Sequence, residues 1–116
     1  MTARRLMLGA GVAIIVAIWV LSLMPSPPYV PGGDKWHHGV AYAGCTLWWC
    51  LALATWRQRR IAMIALVGMG AVIEVLQGAS GYRYFELADI AANTAGVLCG
   101  AILATLLPLS PRASLR

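Results

Sequence analysis

Long stretches without a charged residue constrain this chain more than any other feature of its sequence. The first covers residues 6–24, and further apolar runs follow along the rest of the chain. A helix that crosses the ~30 Å hydrocarbon layer of a bilayer needs about 20 apolar residues, which is the scale of these runs. Hydrophobic residues make up 60% of the chain and charged residues 11%, with a mean hydropathy of +0.74. Lipid is therefore the expected solvent.

Four transmembrane helices account for the whole chain as one all-α domain, residues 1–116. The first follows Arg4 and Arg5 and ends before Pro25. It is expected to be retained, because no small-x-small cleavage site precedes the prolines. Residues 57–60 are predicted to form a tight turn between the second and third helices. The predicted spans are about residues 6–24, 35–56, 61–77 and 89–107.

The basic residues predict the orientation of these helices, because cytoplasmic loops carry an excess of lysine and arginine. One side of the predicted spans has Arg4, Arg5, Arg57, Arg59, Arg60, Arg112 and Arg116, whereas the other has Lys35 and Arg83. Both termini are thus expected in the cytoplasm of a multi-pass protein of the cell (inner) membrane. This asymmetry also explains the net charge of +5 without a nucleic-acid partner, for which basic residues would have to gather on a solvated surface.

Polar residues recur at three- or four-residue spacing near the outer ends of the last three helices, so on each helix they share a face. They are Asp34, His38 and Tyr42 on the second helix, Glu74 and Gln77 with Gly70 on the third, and Asp89 and Asn93 with Gly96 and Gly100 on the fourth. An ionisable side chain in hydrocarbon costs ~2.5 to 3.5 kcal/mol on insertion scales. We therefore expect these faces to meet around an outward-open pocket, where the glycines allow the backbones to approach closely.

The residue types in this pocket suggest roles for its members. Lys35 and Arg83 would hold an anion such as a phosphate. His38, oriented by Asp34, and Glu74 are the candidates for acid/base catalysis. The expected substrate-binding residues are Lys35, Tyr42, Gln77, Arg83, Asp89 and Asn93. A metal held by carboxylates and imidazole is conceivable, but the two cations would repel it, and no metal or cofactor is predicted.

Three blocks of this pattern resemble the VanZ-like family of membrane proteins, named for a member associated with teicoplanin resistance. They are Asp34-Lys35-x-x-His38 with Tyr42, then Glu74-x-x-Gln77, and finally Arg83 followed by Asp89-x-x-x-Asn93-Thr94-x-Gly96 and Gly100. The resemblance implies a helical membrane domain whose shared polar residues coincide with the pocket. The family phenotype suggests action at the cell surface or on lipid-linked envelope precursors.

Three functions remain open from the sequence. The pocket could bind or modify the anionic headgroup of an envelope lipid or precursor, and whether it is catalytic is left open. The chain could be a proton-linked transporter or channel, although the inner halves of the helices are nearly purely apolar. It could also be a structural or regulatory subunit whose polar residues only hold helices together. Membrane lipids are the expected partners, and a homo-oligomer is an open possibility.

Overall fold

The computed structural model describes residues 2–24, 34–81 and 85–107, with only the backbone described at 34 and 35. Within these ranges every regular element is an α-helix: α1 (Ala3–Leu23), α2 (Asp34–Ala52), α3 (Trp56–Ala79) and α4 (Leu87–Leu106). The prediction of an all-helical chain is confirmed. Helices α1, α3 and α4 are long and apolar enough to cross a membrane. A fourth span by α2 stays a prediction, because polar residues in its first turns lower its hydropathy.

The turn between α2 and α3 lies earlier than the sequence predicts. Helix α2 ends at Ala52 and α3 begins at Trp56, so residues 57–60 form the first turn of α3 instead of the link. The reason is a capping box. The Thr55 side chain accepts a hydrogen bond from the Gln58 backbone (3.1 Å), and the Gln58 side chain accepts one from the Thr55 backbone (3.3 Å). The pair satisfies amides that the start of a helix leaves without intrahelical partners.

Consecutive helices run in opposite directions. Near the start of α1, the Met7 carbonyl accepts a bond from Trp48 Nε1, near the end of α2, at 2.8 Å. At the other end of the bundle, Gln77 of α3 bonds to Ser22 of α1. The last turns of α1 and α3 therefore lie beside the first turns of α2 and α4, and we call this the polar end. Asp34, His38, Glu74, Gln77 and Asp89 all belong to these turns.

Helix α4 packs most extensively against α2, through glycines. A Cβ atom at Gly96 would overlap the backbone of Gly39, and one at Gly100 would overlap the Ala43 carbonyl. The two helices run parallel and their backbones touch, which is possible only where a side chain is missing. The close approach predicted from Gly96 and Gly100 is confirmed.

The apolar core lies beneath the polar end. Its buried members are Ile18, Tyr42, Cys45, Leu66, Ile73 and Val97. Helix α1 covers one side of this core but buries only Gly11 and Ile18 of its own residues. At Gly11 the ring of Trp49 fills the space of a side chain, because a Cβ there would lie 2.7 Å from the ring. The remaining apolar surface of α1 suits contact with lipid.

Candidate functional site: a buried polar cluster

A direct side-chain contact joins α2 and α4 at the polar end. His38 Nδ1 lies 3.0 Å from Asn93 Oδ1, and Asn93 is buried. Because an amide oxygen only accepts, Nδ1 must carry the proton and donate it. In the neutral ring Nε2 is then an acceptor. The sequence assigns the orientation of His38 to Asp34, whereas among the described side chains Asn93 holds the ring.

Glu74 is the most deeply buried ionisable residue that the structure describes, with none of its surface exposed. Its Oε1 accepts a hydrogen bond from the backbone N–H of Glu86 at 2.6 Å. Glu86 is the N-cap of α4, and its own side chain makes no capping bond. Glu74 thus reaches across from α3 and does what an acidic residue in the first turn does in a capping box. The positive end of the helix dipole also favours its charge.

Tyr42 and Asn93 meet α3 at Gly70. A Cβ atom at Gly70 would lie 2.9 Å from Asn93 Nδ2 and 3.3 Å from the Tyr42 ring, so the missing side chain makes room for both. Tyr42 is buried at 3% exposure and lies close enough to Glu74 for their charges to interact. Glu74 also interacts electrostatically with Asp89, which is buried at the start of α4, and with His38.

These contacts define the polar cluster, which consists of His38, Tyr42, Glu74, Asp89 and Asn93. Three helices contribute to it, and the structure thus brings together five of the site residues predicted from sequence. The buried oxygens of the cluster without a hydrogen-bond partner among the described residues include Tyr42 Oη and Glu74 Oε2.

The other predicted site residues do not join the described cluster. Gln77 Nε2 donates to the Ser22 carbonyl of α1 at 2.6 Å, so its amide nitrogen ties α3 to α1. The side chains of Asp34 and Lys35 and all of Arg83 lie outside the described residues. The roles assigned to these four residues from sequence stay predictions.

Two features of the site escape sequence reasoning. Thr46 is 1% exposed, four residues after Tyr42, and its hydroxyl has no described partner. The four-residue spacing that links His38 to Tyr42 continues to Thr46 and could have identified it. No sequence signal marks the Glu86 backbone N–H as part of the site, because every residue except proline has a backbone N–H.

The fold and the cluster define a helical membrane protein with ionisable and amide groups buried between its helices at one end. The family model described as VanZ/LLP1 matches residues 35–108, more than half of the chain, and the chain belongs to this family. The match includes every member of the polar cluster and leaves α1 outside. No curated protein and no solved structure gives a significant match.

Proposed function

We propose that this membrane protein binds the polar headgroup of an envelope lipid or lipid-linked precursor at the polar cluster, in the outer leaflet. The observation that carries the proposal is the pair of buried oxygens without partners, Tyr42 Oη and Glu74 Oε2. Buried polar atoms in proteins are nearly always hydrogen-bonded, and the cost of leaving them unpaired rises in lipid. Such atoms suit a site that a ligand completes.

The headgroup in this proposal carries a phosphate. Lys35 and Arg83 are the only basic residues that the sequence places on the predicted outer side. A phosphate is the anion that lysine and arginine bind most readily in membrane headgroups. If the protein also modifies its ligand, His38 is the expected general base through Nε2, with Asp34 and Glu74 as further catalytic candidates.

A purely structural role is the competing proposal, and three contacts favour it. His38 bonds to Asn93, Gln77 bonds to α1, and Glu74 bonds to the start of α4. Each joins two parts of the bundle, as interhelical polar contacts do in other membrane proteins. Such contacts account for the bonded atoms of the cluster, whereas the two unpartnered oxygens favour a ligand.

Lipid retention distinguishes the two roles. We expect purified protein to retain one tightly bound envelope lipid, detected by native mass spectrometry, and His38→Ala to lose it while remaining folded by circular dichroism. Val75→Ala is the matched control, because Val75 adjoins Glu74 in sequence but is 57% exposed. Retention unchanged in His38→Ala, or loss of lipid only together with loss of fold, would favour the structural role.

The family resemblance also connects this proposal with glycopeptide resistance. A protein that binds a lipid-linked envelope precursor at the outer surface would compete with a drug for the same target. We expect cells that express the protein to tolerate more teicoplanin than cells expressing His38→Ala at equal abundance. Equal growth inhibition in the two strains would separate this chain from the resistance phenotype.

A further inference from the structure

Two unpartnered oxygens of the polar cluster belong to different helices. Tyr42 Oη belongs to α2 and Glu74 Oε2 to α3, and their side chains are 3% and 0% exposed. The two groups interact electrostatically, yet no hydrogen bond joins them. Glu74 is held by its other oxygen, which accepts from the Glu86 backbone. When Glu74 is ionised, Oε2 can only accept, so the missing partner of Oε2 is then a hydrogen-bond donor.

The charges around these oxygens favour a cation. Besides His38, the groups that interact electrostatically with Glu74 are the acids Asp89 and Glu86. The basic side chains that the structure describes are Arg4, Arg5, Arg57, Arg59 and Arg60, and they belong to the first turns of α1 and α3, at the opposite end of the bundle. On the predicted outer side the sequence has four acids, Asp34, Glu74, Glu86 and Asp89, against the two cations Lys35 and Arg83, so the formal charge of the polar end is negative. It would repel a phosphate placed beside Glu74 and attract a positively charged donor.

We propose that Glu74 Oε2 and Tyr42 Oη bind the primary ammonium group of a phosphoethanolamine headgroup. This inference rests on the proposed function and names the headgroup. A primary ammonium has three N–H donors and can satisfy both oxygens at once. The Tyr42 ring adds an aromatic surface that attracts cations. A trimethylammonium group has the same charge but no N–H, so it would leave both oxygens unpartnered. The site should therefore distinguish ethanolamine from choline and from glycerol.

Headgroup competition tests this inference on the full-length protein. The protein is exchanged into detergent micelles that contain equal amounts of dioleoyl phosphatidylethanolamine, phosphatidylcholine and phosphatidylglycerol, and retained lipid is counted by native mass spectrometry. We expect phosphatidylethanolamine to be retained at least about tenfold over each of the others, the equivalent of one charge-assisted hydrogen bond. Phosphoethanolamine in solution should displace it and phosphocholine should not. If only the lipid binds, the acyl chains are also required, and ammonium recognition still stands.

Two variants test which residues produce the headgroup selectivity. Glu74→Gln keeps an acceptor for the Glu86 N–H but removes the charge, and we expect it to lower the preference to within about twofold. Tyr42→Phe removes only one hydroxyl that has no partner, so it should fold and also lose selectivity. If Glu74→Gln fails to fold, Tyr42→Phe alone tests the inference. Val75→Ala should behave as the wild-type protein.

Failure of this inference can be distinguished from failure of the proposed function. Equal retention of phosphatidylethanolamine and phosphatidylcholine, or displacement by phosphocholine, would overturn ammonium recognition while leaving headgroup binding in place. Full selectivity in folded Tyr42→Phe and Glu74→Gln would also overturn the inference. Retention of no lipid by the wild-type protein would remove both this inference and the proposed function.

Discussion

The Glu74 carboxylate has two oxygens with different surroundings. Oε1 accepts the N–H of Glu86 at 2.6 Å, whereas Oε2 is buried without a described partner. The first contact holds the start of α4 against α3 and so belongs to the fold. The second is the acceptor that the proposed ligand would use. One residue can thus serve both stability and binding, and substitutions that keep one oxygen acceptor can separate the two effects.

Replacing Glu74 by alanine should destabilise the protein by about 2 kcal/mol, because the charge-assisted hydrogen bond to Glu86 is lost. Glu74→Gln should cost less than half of that, since its amide oxygen can still accept from the same N–H. Reversible unfolding in detergent, followed by circular dichroism, measures both free energies. Equal losses in the two variants would show that the Glu86 contact contributes little to stability.

His38 and Asn93 provide a second comparison at the residue scale. Their hydrogen bond of 3.0 Å joins α2 to α4. Polar contacts between membrane helices contribute about 0.6 kcal/mol on average. A double-mutant cycle of His38→Ala and Asn93→Ala should give a coupling energy of this size. A coupling near zero would mean that the two side chains act independently in the folded protein.

At the scale of helices, the pairing of α2 with α4 depends on missing side chains. Gly96 lies against the backbone of Gly39, and Gly100 against Ala43, in two successive turns. This contact sets the register that brings His38 beside Asn93, because Gly39 directly follows His38 on α2 and Gly96 lies three residues after Asn93 on α4. The small residues on the helix interface therefore position the polar cluster as well as stabilise the bundle.

Gly96→Ala should destabilise the protein by about 1 to 3 kcal/mol, as expected for an overpacked contact. The added methyl group overlaps the backbone of Gly39, which has no side-chain freedom to relieve it. Gly44→Ala is the matched control, because a Cβ at Gly44 on α2 meets no atom within 4 Å. The control should leave stability unchanged or raise it slightly. Similar losses in both variants would contradict close packing at Gly96.

The start of α3 gives a prediction for a single helix terminus. Thr55→Ala removes the side-chain acceptor for the Gln58 N–H and should cost about 1 kcal/mol of unfolding free energy. Thr55→Ser retains the hydroxyl and should be close to the wild-type protein. If alanine and serine have the same effect, the capping box does not hold the helix start at Trp56.

At the scale of the whole molecule, the alternating helices place the polar cluster at one end and the described arginines at the other. Helices α1, α3 and α4 are long and apolar enough for a membrane to separate these ends, and the basic end is expected to be cytoplasmic. The orientation stays a prediction, and it decides which leaflet the polar cluster can reach. It can be tested on α3 alone, because Arg57 and Ala79 lie near its two ends and are both exposed.

A cysteine introduced at Ala79 should react with a membrane-impermeant maleimide in intact cells, whereas one at Arg57 should react only after permeabilisation. Cys45 and Cys50 are buried and should not contribute, and Cys99→Ser removes the exposed native thiol. Labelling of the Arg57→Cys variant in intact cells would show that the orientation is opposite to the predicted one. The proposed ligand would then come from the inner leaflet.

The sequence by itself determined the helical class, the apolar spans and the residues that form the polar cluster. Hydrophobic runs and four-residue spacing are local properties of a chain, and they act before any tertiary contact forms. The prediction of a turn at 57–60 is wrong, because the side-chain cap at Thr55 starts α3 at Trp56 and so places the basic residues inside the helix. Only the tertiary structure decided which polar atoms pair. Asn93 holds His38, Gln77 binds α1, and Glu74 binds a backbone N–H, since partner choice depends on how the helices are placed relative to one another.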